Sequence, residues 1–421
     1  MKRVVMLTRN YKPLNSAVGI CMSNIADCLK ERAEISVVCE KSTLDEPSEE
    51  LIDGERVVRF LSRQTRLRKK YTDNKARAAS PFGRAAWRFA HEAVRAGYNI
   101  RFILGRESIQ KELVECYLDA LRSMPLAPDL LIPTCMPMEA LIASKIYCDE
   151  NPLAKYVPML FDRFADNETL HRTRLNKKLT YVRNQDVEQT VLGSPKCAGV
   201  LFVDAWQDRI QAMDGIAPAR QVEHPLLVER RNEAAAVFDE GETSLVYTGT
   251  LTTAGRDPSY ALRLVSAVLP RLHNAVFHVF GLGDGMRIVE ESSERFPRLI
   301  RSRGAVSSKR AQDILSCANV LLSVGNSDIA QMPSKIFEYM AAGKPIIHVA
   351  KSSEDPANDI LSRYPLGLVL VEDDAHFDEQ VERMRYYIQT HCDDSVDFDL
   401  VARRFPSALP SYTAELISRY L

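Results

Sequence analysis

The sequence predicts an α/β protein with two doubly wound domains, on three observations. The chain has 421 residues, more than one ordinary hydrophobic core accommodates. Short apolar runs alternate with stretches of helical periodicity, which is typical of parallel strands joined by helical crossovers. The alternation stops at a charged, alanine-rich stretch over 229–242 and then starts again, so each half is expected to fold around its own sheet.

The first half begins with a strand, a loop and a helix. Arg3–Thr8 is an apolar run, Arg9–Gly19 carries turn residues, and Ile20–Arg32 has apolar residues at helical spacing. The same patterns predict strands at Ile35–Cys39, Leu130–Ile132, Tyr156–Phe161 and Gly199–Val203, and helices near 108–123, 137–148 and 180–192.

The second half repeats this order. A strand at Ser244–Tyr247, a loop over Gly249–Arg256 and a helix at Pro258–Leu269 open it. Later strands are predicted at Ala275–Phe280, Ile300–Ser302, Val320–Ser323, Ile346–Val349 and Leu368–Val371, and helices after Gly285, at Ser308–Ser316, near 334–342 and at Ala414–Leu421. We therefore expect domains over 1–228 and 244–405, a linker over 229–243, and a C-terminal helical segment over 406–421 that packs back on the first domain.

Composition excludes several classes of protein. The net charge is -1, hydrophobic residues make up 46% of the chain, and no apolar run approaches the roughly 20 residues that span a bilayer. The nine cysteines contain no Cys-x-x-Cys pair and the eight histidines lack metal-ligand spacing, so we expect reduced thiols and no structural metal site. The start of the chain has too few apolar residues for a signal peptide, which favours a cytoplasmic protein.

The segment 56–111 is strongly basic. It holds fifteen Lys or Arg residues against three acidic ones, interleaved with aromatic residues such as Phe82, Trp87 and Phe89. Such a segment suits an anionic membrane surface, a phosphate-bearing substrate or nucleic acid, and it is as typical of a solvated helical surface. We expect no nucleic-acid partner, because the sequence contains no recognised binding module.

Three glycine-containing turns follow predicted strands. Pro13–Gly19 opens a helix whose N-terminus favours an anion, although a plain tight turn has the same pattern. Gly281–Gly285 looks like a dinucleotide fingerprint, but Met286 stands where the third glycine is needed, which favours a nucleotide-proximal turn over an NAD site. Gly304–Ser308 has backbone groups that suit a base edge, and it equally suits an ordinary βα loop.

Three charged residues of the second half are candidates for ligand contacts. Arg256 ends a hydroxyl-rich loop, where a guanidinium can hold a diphosphate or simply begin a surface helix. Lys335 lies in the first turn of a helix, against the helix dipole, which indicates either a nearby anion or a solvent-facing side chain. Glu338 lies on the same helix, between Pro333 and Gly343, among apolar residues where a carboxylate needs a polar partner.

These segments form an ordered series in the second half, namely Tyr247–Gly249, Val276–Gly283, Arg303–Val306, Ala318–Leu322 and Pro333–Ile347. The series resembles the C-terminal domain of retaining glycosyltransferases of the GT-B fold, in particular glycosyltransferase family 4. The resemblance covers roughly residues 244–371, and its last segment is the most specific. The first half is similar to the family's acceptor domain in outline, through residues 1–40 and Glu223–Leu227.

The resemblance implies a GT-B fold, with two Rossmann-like domains facing a central cleft, and a role for each matched residue. Glu338 would bind the ribose hydroxyls of a nucleotide sugar, and Arg256 and Lys335 would neutralise the donor diphosphate during catalysis. Gly19 would face that diphosphate. The other predicted donor-binding positions are Gly249, Thr250, Gly281, Gly283, Ala305, Val306, Asp328, Gln331 and Ser334. Asp162 is predicted to be catalytic by orienting a sugar hydroxyl or Arg163.

Three positions depart from the family's pattern. Thr250 stands where the first of two cations is usual, Ala330 where a sugar-contacting glutamate is usual, and Phe161 where a histidine is usual. The identity of the donor sugar is therefore left open, with Asp328 and Gln331 as candidates for the missing contacts.

The resemblance implies transfer of a sugar from a nucleotide-diphosphate sugar to a hydroxyl of a glycan or lipid-linked acceptor, in cell-surface polysaccharide or glycolipid biosynthesis. The nucleotide sugar would be a substrate, with neither metal nor cofactor, and the segment 56–111 would hold the enzyme on the inner face of a membrane. The alternative is a catalytically degenerate GT-B protein that binds a sugar nucleotide or a partner enzyme. An NAD-dependent oxidoreductase would rest on Gly281–Gly285 alone.

Overall fold

The computed structural model describes residues 1–13, 16–77, 80–105, 108–167, 174–229, 237–329 and 331–421. The chain forms two compact units, which are described separately below. The first comprises Met1–Pro225 together with Pro410–Leu421, and the second comprises Leu226–Leu409. Within the predicted linker over 229–243, residues 230–236 lie outside the described part.

The first unit is built on two sheets. Its six-stranded sheet has the order β3-β4-β2-β1-β5-β6, and only β3 is antiparallel to its neighbour. The strands are β1 (Lys2–Leu7), β2 (Ala33–Glu40), β3 (Glu49–Ile52), β4 (Glu55–Phe60), β5 (Leu130–Pro133) and β6 (Lys155–Tyr156). The parallel three-stranded sheet contains β7 (Met159–Leu160), β8 (Val200–Phe202) and β9 (Ala219–Gln221).

The prediction of one strand over Tyr156–Phe161 is wrong. Tyr156 ends β6 in the larger sheet, whereas Met159 begins β7 in the smaller one. Pro158 lies between them and has no N–H to donate to a ladder, so the run divides at this residue.

Helices connect these strands. They are α1 (Ala17–Leu29), α2 (Arg63–Arg77), α3 (Pro81–Gly105), α4 (Lys111–Arg122), α5 (Met138–Glu150), α6 (Arg174–Leu192) and α7 (Gln207–Gln211). The core between them includes Leu7, Leu131 and Trp206, each with 0% of its surface exposed. Burying one such aliphatic side chain stabilises the fold by roughly 1.5–3 kcal/mol.

The second unit has one six-stranded parallel sheet of order β12-β11-β10-β13-β14-β15. Its strands are β10 (Thr243–Thr250), β11 (Ala275–Leu282), β12 (Ile300–Ser302), β13 (Val320–Val324), β14 (Ile346–Ala350) and β15 (Gly367–Val371). This is the strand order 3-2-1-4-5-6 of a Rossmann fold, in which the chain changes direction of winding between β10 and β13.

The helices of this unit are α8 (Ser259–Val268), α9 (Met286–Arg295), α10 (Ser308–Cys317), α11 (Lys335–Ala341), α12 (Ala357–Arg363), α13 (Phe377–His391) and α14 (Phe398–Arg404). The last helix of the chain, α15 (Pro410–Ser418), belongs to the first unit and packs on α1. Arg32 Nη1 donates to Ser418 Oγ at 3.1 Å beside this contact. Tyr420 lies over Gly199, where a Cβ would come within 2.1 Å of the tyrosine oxygen.

Candidate functional site

The candidate site lies at the carboxyl edge of the six-stranded sheet in the second unit, between β10 and β13, where the direction of winding changes. In open α/β sheets, ligands bind outside the carboxyl ends of the strands at such a switch point. The loop after β10 and the loop after β13 meet there, because Ser327 N–H donates to the Gly255 carbonyl at 2.8 Å. Thr252 Oγ1 shapes the first loop by accepting from Gly255 N–H at 3.2 Å and from Arg256 N–H at 3.1 Å.

The guanidinium of Arg256 is held at this switch point. Its Nε donates to Asn326 Oδ1 at 2.7 Å, and Asn326 Nδ2 in turn donates to the Gln331 carbonyl at 2.7 Å. Burial raises the pKa of the neighbouring Tyr247 to about 12, and the charge of Arg256 opposes part of that rise. Among the residues with described side chains, no carboxylate lies within ion-pair distance of Arg256. A fixed cation without a carboxylate partner is suited to an anionic ligand.

Lys335 and Glu338 form an ion pair on α11. Lys335 is the first residue of this helix, and its Nζ lies 3.2 Å from Glu338 Oε2. The anion that meets the unfavourably placed lysine is therefore Glu338 itself. The Glu338 side chain is 9% exposed and borders a cavity of about 240 Å³ that α10 also lines. Ser334 precedes the helix and is half-buried.

The helix α11 is fixed to β10 by Tyr339. The Tyr339 hydroxyl accepts from Thr248 N–H at 2.9 Å and lies 3.3 Å from the Thr248 carbonyl, to which it donates. Burial raises the pKa of Tyr339, so the hydroxyl keeps its proton at neutral pH. Because Glu338 is the preceding residue, this contact also holds in place the carboxylate that is predicted to bind the ribose hydroxyls.

The predicted glycines at this edge allow backbones to approach each other. A Cβ on Gly281 would lie 2.8 Å from the Gly249 carbonyl, and one on Gly283, whose φ is +106°, would lie 2.1 Å from the Leu251 carbonyl. The glycine turn thus packs against the end of β10 and the loop that follows it. The strands β10 and β11 extend beyond their predicted ends, and Thr250 is exposed where β10 stops.

The predicted base-reading loop lies next along the same edge. Gly304 has a φ of +69°, and Ala305 and Val306 are exposed beyond it. Ser307 then caps α10, its side chain accepting from Arg310 N–H at 3.3 Å. Leu282, at the end of β11, is 54% exposed at this edge and adds apolar surface.

Solved structures identify the fold. Sucrose-phosphate synthase from Thermosynechococcus elongatus is 11% identical, with a TM-score of 0.61 over 100% of this chain and 99% of that one. An alpha,alpha-trehalose-phosphate synthase (UDP-forming) from Burkholderia vietnamiensis gives the same four values. WaaG, a glycosyltransferase involved in lipopolysaccharide biosynthesis, is 13% identical, with a TM-score of 0.57 over 98% of this chain and 99% of that one. These solved structures are GT-B glycosyltransferases. The chain has the GT-B fold.

The fold prediction of two Rossmann-like, parallel-sheet domains is therefore confirmed. By sequence, no family model and no curated protein matches the chain. In the part of the chain that the structure describes, no helix is both long and apolar enough to cross a membrane. The same residues contain no group of three or more His, Cys, Asp or Glu side chains arranged to hold a metal ion.

Two predicted site residues belong to the other unit of the GT-B fold. Gly19 lies within the first turn of α1, which begins earlier than predicted, and its N–H donates to Ser16 Oγ at 3.1 Å. Asp162 follows β7, and its carbonyl accepts from Cys135 Sγ at 3.1 Å. Arg163 pairs with Asp166 at 3.1 Å. The predicted loop between β1 and α1 includes residues 14–15, which lie outside the described part.

A histidine does lie beside Phe161, although it comes from a different segment of the chain. The His224 ring centroid is 5.6 Å from that of Phe161. Burial lowers the pKa of His224 to about 4, so the imidazole is neutral at pH 7. The sequence signal was the Glu223–Leu227 segment, which the resemblance matched without assigning a role to the histidine.

The donor-side predictions within the GT-B fold have differing outcomes. The structure links Arg256 to the Gln331 carbonyl through Asn326, a residue that the sequence argument did not single out. Asp328 is half-buried, and its carbonyl accepts from Gln331 N–H at 3.1 Å. Ala330, where the glutamate of the family pattern is missing, lies outside the described residues.

Proposed function

We propose that this protein transfers a glycosyl group from a nucleotide-diphosphate sugar to a hydroxyl of a glycan or lipid-linked acceptor, with retention of anomeric configuration. The observation that carries the proposal is the guanidinium of Arg256, which Asn326 fixes at the switch point and which has no carboxylate partner among the described side chains. One structural neighbour is a trehalose-6-phosphate synthase studied for glycosyltransfer with retention, and another is bound with UDP-2-fluoro glucose. The likeness to WaaG, which is involved in lipopolysaccharide biosynthesis, supports a role in cell-surface glycolipid or polysaccharide biosynthesis.

Each charged residue has a distinct part in this reaction. As the bond from the anomeric carbon to the diphosphate breaks, Arg256 stabilises the negative charge that builds on the leaving group. Glu338 accepts hydrogen bonds from the ribose hydroxyls, which releases Lys335 from its ion pair and lets its charge turn to the phosphates. The acceptor hydroxyl oxygen bonds to the anomeric carbon from the face that the diphosphate leaves, and its proton passes to the phosphate oxygen freed by that departure. With two cations available, the transfer is proposed to proceed without a metal ion. Transferase activity is therefore expected to persist when a metal chelator is added.

A thermal-shift screen of nucleotide sugars tests donor binding, since a ligand of the folded state stabilises it. Glu338→Gln is expected to weaken the preferred nucleotide sugar about tenfold or more, because a charged hydrogen bond contributes roughly 1.5–3 kcal/mol. Arg256→Gln should lower turnover more than affinity. Glu291→Gln on α9, with a side chain 63% exposed, is the matched control and should change neither. Absence of any stabilising nucleotide sugar, or equal affinity in all variants, would refute the donor site.

Turnover separates catalysis from the alternative, a degenerate GT-B protein that only binds a sugar nucleotide. Thr250, at the position of a usual cation, is the observation that favours the alternative. The proposal expects donor hydrolysis or transfer in the wild type and loss of both in Arg256→Gln. NMR of the product should show the donor's anomeric configuration. Binding without any turnover, with every acceptor class offered, would favour the degenerate protein.

The basic segment 56–111 is proposed to dock the enzyme on the anionic inner face of a membrane. Its described part includes α3, on which Phe82, Phe89 and Ile100 are 85%, 78% and 54% exposed. Phe89 and Ile100 lie 7 and 18 residues after Phe82, and this spacing places all three on one face of the helix. An exposed apolar stripe in a basic segment is typical of a helix that lies in a membrane interface. Residues 78–79 and 106–107 lie outside the described part.

Vesicle flotation tests this docking. Phosphatidylglycerol vesicles should bind the wild type, and the double change Phe82→Ser and Phe89→Ser should abolish binding. Charge reversal at Arg66 should weaken it, because each basic residue near an anionic surface contributes about 1 kcal/mol. Leu153→Ser, at a side chain 96% exposed outside the segment, is the control. Equal binding by all four proteins, or none by the wild type, would remove membrane docking and leave the transferase proposal intact.

A further inference from the structure

The first unit contains a polar cavity of about 630 Å³. Arg9 follows β1 and Lys41 follows β2, so the cavity opens at the carboxyl ends of two adjacent parallel strands. The helix α2 supplies another wall, including Arg68 and Lys69. A cavity of this size and position is typical of a small-molecule site in an α/β unit.

Positively charged side chains outnumber carboxylates in the lining. Six Lys or Arg side chains line the cavity against two carboxylates. One of these carboxylates, Glu40, is 6% exposed and accepts a hydrogen bond from the Ser62 hydroxyl. Among the residues with described side chains, no carboxylate lies within ion-pair distance of Arg9 or Arg68.

The rest of the lining is suited to hydroxyl groups. Six neutral side chains with hydroxyl or amide groups line the cavity, and Leu44 is the one aliphatic residue among its described lining. Lys69 Nζ donates to the Lys41 carbonyl at 2.9 Å, which ties α2 to the loop after β2 and keeps the two walls together. A cationic cavity with hydroxyl and amide walls is complementary to a phosphorylated sugar and not to an apolar ligand.

We infer that this cavity binds the acceptor through a phosphate or pyrophosphate group attached to its sugar. This assignment rests on the proposed transferase function, because that function is what makes the occupant an acceptor. Arg9 and Arg68 hold the phosphate from two different elements, and the neutral polar residues face the sugar. The phosphate is either that of a soluble sugar phosphate or that of a lipid carrier.

Calorimetric titration with inorganic pyrophosphate tests the cavity in the full-length protein. The titration uses Arg256→Gln as the starting protein, which removes the fixed cation of the proposed donor site and weakens pyrophosphate binding there. One pyrophosphate is expected to bind, and the added changes Arg9→Gln or Arg68→Gln should each weaken it about tenfold. Adding Lys145→Gln, which removes a cation of α5 outside the cavity, should have no effect.

Two outcomes would overturn the inference: no pyrophosphate binding in the Arg256→Gln protein, or binding that Arg9→Gln and Arg68→Gln leave unchanged. A second measurement separates this failure from failure of the donor site. Arg9→Gln and Arg68→Gln are each introduced into the otherwise wild-type protein, and both variants should still bind the nucleotide sugar. Competition then identifies the source of the phosphate. Displacement of pyrophosphate by phosphatidylcholine vesicles that carry phosphatidic acid indicates a lipid phosphate, and displacement by ribose 5-phosphate alone indicates a soluble one.

Discussion

Tyr339→Phe tests how the donor site is held in place. The change removes one hydroxyl from a side chain that is 1% exposed and keeps the aromatic ring, so no sizeable cavity forms. The lost oxygen accepts from Thr248 N–H at 2.9 Å. Thr248 is itself 2% exposed, so water does not readily replace the tyrosine as the partner of its N–H.

The expected cost follows from this geometry. A buried donor left without a partner costs about 1–3 kcal/mol, whereas removal of a solvated hydrogen bond costs far less. The second contact of the hydroxyl, to the Thr248 carbonyl at 3.3 Å, is longer and adds little. We therefore expect the second unit to lose about 1–3 kcal/mol of stability.

The assay is urea denaturation of the full chain, combined with hydrogen–deuterium exchange of peptides that cover β10. Exchange reports this unit separately, which matters because a chain of two units need not unfold in one step. Tyr386→Phe, at a side chain 67% exposed on α13, is the control and should fall within about 0.5 kcal/mol of the wild type. If Tyr339→Phe and the control leave β10 equally protected, the hydroxyl does not fix α11 to the sheet.

The remaining predictions concern one glycine and one histidine. Gly283→Ala should destabilise the second unit by about 1–3 kcal/mol more than Gly241→Ala, since both glycines have positive φ but only Gly283 would bring a Cβ against the Leu251 carbonyl. Equal thermal unfolding of these two variants would contradict the close approach. For His224, the folded pKa of about 4 lies below the ordinary 6.5, so stability is fully present above pH 6.5 and falls as the pH drops towards 4. The loss should total about 3 kcal/mol, and His224→Phe should flatten the slope of unfolding free energy against pH over this window; an unchanged slope would show that other groups cause it.

The sequence was sufficient to predict the strands of the second unit's sheet, because they are continuous apolar runs bounded by turn residues. The six-stranded sheet of the first unit was harder to predict. The hairpin of β3 and β4 was not predicted, although Asp53-Gly54 is a strong turn signal and both residues have positive φ, at 51° and 82°. The short alternating strands beside that turn are hidden in a charged stretch.

The candidate site shows what residue patterns leave out. Spacing placed Arg256 and Glu338 in loops and helices at one sheet edge, but it could not reveal that Asn326 orients the guanidinium or that Lys335 already pairs with the glutamate. Both contacts join side chains whose geometry depends on the packed loops. The glycine turn near Gly283 has a packing role that a phosphate-binding interpretation did not require.

The return of α15 to the first unit affects how the protein is made. The helix docks on α1, although every residue of the second unit precedes it along the chain. Translation proceeds from the N-terminus, so every residue of the second unit is synthesised before the first unit receives its final helix. A premature stop just before Pro410 would therefore spare the later-made unit and leave the earlier-made one with the apolar face of α1 uncovered.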